Sequence, residues 1–209
     1  MRRESILTAV EEYYSSRFAE HGASARGVDW NSEESQQLRF EQLAQLFRGE
    51  EARFSVNDLG CGYGAFATFL RRRGFEAAYT GYDLSQSMLE HARTTFAGEP
   101  DVQFKEGTEL SLADYSVASG VFNVKLGFDD DAWRAYVDHM IADLAHASRK
   151  GFAFNMLTSY SDPDKRRSDL FYEDPRELFD VCKRSYSPHV ALLHDYGLWE
   201  FTVIVRMSP

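Results

Sequence analysis

Cysteine occupies only two of the 209 positions, Cys61 and Cys182, too few and too far apart for a disulfide framework or a zinc site. A reducing cytoplasm is therefore the expected compartment. Long apolar runs are missing too: Met1 to Phe18 opens on basic residues but soon carries Glu11, Glu12 and Arg17, so it reads as neither a secretory signal nor a membrane span. Positive charge is also short. The formal net charge of −10 argues against a nucleic-acid partner, because such proteins usually present a basic face to the phosphates. The two basic clusters, Arg71-Arg72-Arg73 and Lys165-Arg166-Arg167, read as solvated faces, the first closing a helix where cations offset the carbonyl end of its dipole. Proline is sparse, its five residues falling late or at element boundaries, and no repeat or low-complexity tract interrupts the chain. The length and a hydrophobic content of 44% suit one domain over residues 1–209 with a full core.

What the chain does have is alternation. Ser5 to Ala19 and Ser32 to Phe47 have helical periodicity, with Ile6, Val10, Tyr13 and Tyr14 near one face of the first. Strand-like segments follow at Phe54–Leu59, Ala78–Tyr82, Val102–Lys105, Ser116–Phe122 and Gly151–Leu157. Helical segments separate them at Ala65–Arg73, Gln86–Phe96 and Asp129–Ser148, with Ser85 as an N-cap and an acidic start on the last. Asp174 and Pro175 open one more helix. Val190–His194 and Phe201–Val205 are joined by a turn through Gly197 that is too short for a helical crossover, so they should pair antiparallel. The pattern predicts a three-layer α/β sandwich with a mostly parallel sheet and a C-terminal antiparallel hairpin. Its ligand site should lie at the carboxyl ends of the strands, near the switch in strand order.

The run Asp58-Leu59-Gly60-Cys61-Gly62-Tyr63-Gly64 closes the first strand and leads straight into a helix. Alternate glycines let the backbone take positive φ and let a ligand come where a Cβ would collide. Asp58 sets a carboxylate beside that bare backbone, which suits a ligand bearing hydrogen-bond donors or positive charge and would repel a phosphate. The spacing also differs from the dinucleotide pattern of nicotinamide enzymes, which has two residues before its last glycine. About twenty residues further on, Asp83 ends the second strand, where an acidic side chain can accept both hydroxyls of a ribose or cap the next helix.

This motif resembles the first motif of the class I methyltransferases that use S-adenosylmethionine, and the order of elements is similar over roughly residues 30 to 207. The resemblance implies a Rossmann-like, seven-stranded sheet whose last strand is antiparallel. It implies a cofactor site in which Asp58, Gly60, Cys61 and Gly62 form the turn, Leu84 lies against the adenine and Met88 helps to close the pocket. After the third strand, Thr108 stands where many members have an acidic residue for the adenine amino group; its hydroxyl accepts one bond, and the Glu109 amide reaches a ring nitrogen. Ser119 and Gly120 would line the methionine and sulfonium end. Related enzymes often use an N-terminal lid, so residues 1–49 are expected to form one, with Trp30 and Arg39 as candidates for the cofactor's carboxylate, unless Trp30 is core and Arg39 an ordinary surface residue.

The resemblance further implies a methyltransferase acting on a small molecule. Members that methylate amino groups of bases or glutamine often carry Pro-Pro-Tyr or Pro-Phe-Tyr after the fourth strand, whereas this chain has Ser119-Gly120-Val121-Phe122-Asn123, which leaves O-methylation of a sugar or secondary metabolite as the expectation. A hydroxyl acceptor needs a base, and histidine is best matched to neutral pH. His194 is the first candidate for that base, with Tyr160 beside the acceptor. Asp129-Asp130-Asp131 fits a helix N-terminus better than a metal set, so no metal is expected. The alternative is a non-catalytic nucleoside-binding or partner module of the same fold. The oligomeric state is not indicated.

Overall fold

The computed structural model describes residues 2–207, so the outer ends of the domain expected over 1–209 lie outside the described residues. Two helices come first, α1 (Arg2–His21) and α2 (Glu33–Ala44), followed by the alternating series β1 (Phe54–Leu59), α3 (Ala65–Arg72), β2 (Ala77–Asp83), α4 (Gln86–Thr95), β3 (Val102–Glu106) and β4 (Ala113–Ala118). The chain then forms α5 (Asp130–His146), β5 (Ser148–Leu157), α6 (Pro175–Ser185), β6 (His189–Leu193) and β7 (Glu200–Arg206). The sheet order is β3-β2-β1-β4-β5-β7-β6. Strands β1 to β5 pair in parallel, while β7 runs antiparallel to both β5 and β6. The chain starts in the middle at β1, works outward to β3, then returns to β4, which opens a crevice at the carboxyl ends of β1 and β4.

Period-2 alternation divides each central strand between two cores. In β5, Phe152, Phe154 and Met156 pack with α5 and α6, while Ala153 faces the other way. In β7, Phe201, Val203 and Val205 join the first core and Ile204 the second, which is built mainly on α2, α3 and α4. The helix starts are set by local side chains: Ser32 and Ser35 form a reciprocal capping box on α2, Ser85 caps α4, Asp129 accepts from the Ala132 amide at 2.8 Å, and Asp174 caps α6 ahead of Pro175.

The terminal hairpin and the mixed sheet match the expectation from sequence. Several strand boundaries do not: β4 starts at Ala113 and β5 at Ser148, each three residues before the expected start. The fourth strand ends at Ala118, and Ser119 to Phe122, expected to extend it, form a turn. Phe122 is fully buried all the same, because its carbonyl accepts from the Trp133 indole at 2.8 Å and its ring packs edge-on against Phe154. Tertiary packing, not strand geometry, accounts for that apolar run. Among the described residues, no helix is long and apolar enough to cross a membrane.

Candidate active site

A cavity of about 890 Å³, its open mouth included, lies over the carboxyl ends of β1, β2 and β4 and beneath α1 and α2. Its floor is the glycine turn. Gly60 and Gly62 adopt φ of 72° and 54°, and a Cβ on Gly60 would fall 2.5 Å from Val121. Only glycine lets this backbone turn under a ligand without strain. Two tyrosine-carbonyl bonds pin the turn, since the amides of Gly60 and Cys61 both donate to the Tyr82 carbonyl at 2.8 and 3.0 Å.

Asp83 leaves the end of β2 into the cavity, with one oxygen accepting from the Gly62 amide at 2.8 Å and the other from the Ser85 amide at 2.9 Å. These bonds fix the carboxylate plane and leave each oxygen free lone pairs. Burial raises its pKa against the opposing effect of those amides. Asp58 is buried at the cavity wall, where the Tyr79 hydroxyl donates to it at 2.5 Å. Burial pushes the Asp58 carboxyl up to about 7, with the Tyr79 bond opposing and the nearby Asp83 charge adding to the shift. Cys61 also lines the cavity, but burial holds its thiol well above the ordinary range, so it packs and does not act as a nucleophile.

A pH dependence follows from Asp58. The folded state keeps its proton up to about pH 7, whereas the unfolded chain releases it near the ordinary value of 3.8. The folded state therefore binds more protons between those limits, and stability is lost as pH rises from about 4 through about 7. Urea unfolding at a series of pH values should show this decline in the wild type and a flatter profile in Asp58→Asn; parallel profiles would remove Asp58 as its source.

Of the residues singled out from the sequence, Trp30, Asp58, Gly60, Cys61, Gly62, Asp83, Leu84, Met88, Thr108, Ser119 and Gly120 all line this cavity. Ser119 Oγ is buried there without a hydrogen-bond partner, and so can serve a bound molecule. Glu109 is exposed and lines no part of the cavity, which leaves only its backbone for the role expected. Sequence reasoning missed Glu11 and Tyr14 on α1, Gln36 on α2, and Tyr136 and Met140 on α5 as lining residues.

Arg39 requires a correction. It does not reach the first cavity; its Nε and Nη2 donate to the two oxygens of Glu200 at 2.8 and 2.5 Å, and Nη1 donates to the Ser35 carbonyl at 2.8 Å. The guanidinium also stacks 3.9 Å from the centroid of the Trp30 ring. With every arm engaged, it holds the N-terminal segment to β7 and is not free to clamp a cofactor carboxylate. Trp30 in turn fills the space beside Gly120, where a Cβ would lie 2.2 Å from two indole carbons. Gly120 has φ of 73°, and its amide donates to Asn155 Oδ1 at 2.7 Å. Gly120→Ala combines left-handed strain with overpacking, so it should cost about 2–4 kcal/mol and lower the melting temperature by several degrees. An unchanged melting curve would show that Trp30 yields freely.

A second cavity adjoins the first. The two share Tyr14, Val28, Trp30 and Gly120 as a common wall. Its far side carries Asp29, Asn123, Ser161, Lys165 and Arg167 among apolar and aromatic residues such as Tyr172, Leu198 and Trp199. Asp29 sits at positive φ, 61°, and is held by the Tyr13 hydroxyl at 2.8 Å and the Arg17 guanidinium at 2.9 Å. Neither His194 nor Tyr160 lines either cavity. Both are exposed, their rings 5.9 Å apart at the rim of the β5 and β7 ends, so the expected base and acceptor contact are not brought to the site. Among the described residues, no group of three His, Cys, Asp or Glu side chains could hold a metal ion.

Comparison with known proteins decides the family. Residues 56–147 match the methyltransferase domain family. A Mycobacterium tuberculosis protein described as a methyltransferase is 54% identical over 156 residues, covering 74% of this chain and 94% of that protein. The chain belongs to the class I S-adenosylmethionine-dependent methyltransferases. A ubiquinone biosynthesis O-methyltransferase of Alkalilimnicola ehrlichii is 38% identical over 78 residues, 37% of this chain and 30% of that protein. Magnesium protoporphyrin IX methyltransferase from Synechocystis PCC 6803, solved with bound S-adenosylhomocysteine, superposes with a TM-score of 0.69 at 15% identity, covering 96% of this chain and 99% of that one. At that identity the likeness is one of fold.

The cavity of this methyltransferase fits the family's cofactor. The bare turn leaves room for a nucleoside, Asp83 offers acceptor lone pairs at the end of β2, and the Ser119 hydroxyl awaits a partner. The bound cofactor supplies an electrophilic methyl on a sulfonium; the protein's part is to orient it and exclude water.

Proposed function

We propose that this methyltransferase acts on a small polar molecule, O-methylating a sugar or secondary metabolite, with the donor in the first cavity and the acceptor in the second. The shared wall of Tyr14, Val28, Trp30 and Gly120 carries this reading, because a group transfer needs two adjoining sites that meet at one point. In the donor site, Asp83 accepts the ribose hydroxyls, Leu84 and Met88 flank the adenine, Thr108 meets its edge, and Asp58 meets the ammonium group, whose charge favours the ionised form of that carboxyl against its burial. The mixed polar and aromatic lining of the second cavity suits a hydroxylated acceptor. The formal net charge of −10 supports an enzyme that does not use nucleic acid as its partner.

A hydroxyl acceptor must lose a proton, and no histidine lines either cavity among the described residues. Glu200 is committed to Arg39, whereas Asp29 is oriented by Tyr13 and Arg17 at the wall of the second cavity, so Asp29 takes the role of base. The test is formation of S-adenosylhomocysteine from S-adenosylmethionine across a panel of sugars and phenols. Acceptor-dependent turnover that Asp29→Asn loses while still binding donor is the expected result. Firm donor binding with no turnover on any acceptor would instead favour a non-catalytic module.

A further inference from the structure

The run Lys165-Arg166-Arg167 reads from sequence as a solvated face, yet the structure divides its work. Arg166 fastens the loop after β5 to itself: its Nε donates to the Ser161 carbonyl at 3.2 Å, Nη2 donates to that of Ser159, and the guanidinium lies 5.4 Å from the Tyr172 ring centroid. The Arg167 amide donates to the Tyr172 hydroxyl at 3.0 Å. In the loop held this way, Lys165 and Arg167 on either side of Arg166 both line the second cavity, which measures about 1110 Å³ with its open mouth included. The other charges on that wall are already paired: Arg39 and Glu200 neutralise each other, and Asp29 accepts from Arg17. Arg167 pairs through Nε and Nη2 with Asp169, which does not line the cavity, and its Nη1 has no partner among the described residues. Lys165 lies 3.6 Å from Asp164, with side chains 68% and 74% exposed, and so open a pair contributes little. An independent donor lies on the same wall. Asn123 is 4% exposed; its Oδ1 accepts from the Leu157 amide at 3.0 Å, while its Nδ2 donates to no described residue. A buried amide with unused N–H donors fits a ligand that brings an acceptor oxygen.

We infer that the acceptor carries an oxyanion, a carboxylate or a phosphate ester, besides the hydroxyl that is methylated, and that Lys165 and Arg167 bind it with the Asn123 amide as a third donor. The inference rests on the second cavity being the acceptor site. A guanidinium with a free Nη1, an ammonium and an amide donor make charge-assisted hydrogen bonds to such a group and offer a neutral ligand nothing comparable. Asp169 keeps the Arg167 guanidinium charged, with Asp29 adding to the effect. The arrangement separates two tasks: the cations hold the acid group, and Asp29, placed between Val28 and Trp30 of the shared wall, is left for the hydroxyl. Tyr172 and Trp199 supply faces against which a ring can pack. In a chain of formal net charge −10, these cations also give an anion a local attraction at this mouth. One charge-assisted contact at a half-open site corresponds to about a tenfold gain in affinity.

The test is calorimetry on the full chain saturated with S-adenosylhomocysteine, using two matched sets: para-hydroxybenzamide, para-hydroxybenzoate and para-hydroxyphenyl phosphate, then glucose, glucuronate and glucose 6-phosphate. In at least one set an acid should bind about tenfold tighter than the neutral member, and the acid that gains identifies the oxyanion. The double variant Lys165→Gln, Arg167→Gln should reduce that preference several-fold and leave the neutral member within about twofold; both side chains are more than half exposed, so the fold is kept. Neutral members that bind as tightly as the acids overturn the inference, as does an acid preference that survives the double variant, or failure of every compound to bind. Trp199→Ala separates this from the acceptor site itself. Equal binding of all members that Trp199→Ala weakens would leave the acceptor in the second cavity without a charge preference, whereas binding that neither variant alters would place the acceptor elsewhere.

Discussion

Asp83→Ala should lose about 10²- to 10⁴-fold in affinity for S-adenosylmethionine. Two charge-assisted hydrogen bonds to a ribose contribute roughly 1.5–3 kcal/mol each, and both depend on this one carboxylate. The substitution also releases the amides of Gly62 and Ser85, so the turn beneath the ligand and the cap of α4 lose their common anchor. Calorimetry measures the affinity, and a parallel melting curve separates lost binding from lost fold. Asp83→Asn retains an acceptor oxygen and should fall between the two. Unchanged tight binding in Asp83→Ala would remove the residue from the site.

Arg39→Ala should be the most destabilising single change on the N-terminal segment. The Arg39 and Glu200 side chains are 7% and 2% exposed, and truncating the arginine leaves a carboxylate buried with no counter-ion. Removing one partner of such a pair costs about 3–5 kcal/mol, which for a domain of this size lowers the melting temperature by about 6–20 °C. The stacking contact on Trp30 is lost as well, so the wall between the cavities loosens. The double variant Arg39→Met, Glu200→Leu removes both charges and should recover much of the loss, because an apolar pair of similar volume avoids the desolvation penalty. A shift under 2 °C in Arg39→Ala would show that Glu200 finds water or another donor.

The parts of the site that were legible in the sequence are those where local backbone and chemistry coincide. The glycine turn declares itself because positive φ and close approach demand glycine, and Asp83 because a strand end fixes where its side chain goes. The hairpin of β6 and β7 followed from loop length alone. What stayed hidden depends on contacts distant in sequence. Glu200 lies 161 residues from Arg39, so nothing near Arg39 shows that its guanidinium is already engaged. Periodicity marks an apolar face on α1, yet it does not reveal that Glu11 and Tyr14 cover the sheet's crevice, because that depends on how the helix docks against α4. His194 looked suited to catalysis by type and by strand end, but β6 is an edge strand whose end lies outside both cavities. Phe122 shows the reverse: an apolar residue read as strand is buried by the Trp133 and Phe154 contacts of a turn.

Asp83 and the bare turn at Gly60 and Gly62 should hold the adenosyl group between them. A crystal structure of the wild type grown with S-adenosylhomocysteine tests it most directly. Both ribose hydroxyls should lie on the Asp83 carboxylate, with the glycine turn beneath the ligand and its sulfur facing the Trp30 and Gly120 wall. A nucleoside lodged in the second cavity, or a ribose that does not touch Asp83, would contradict it.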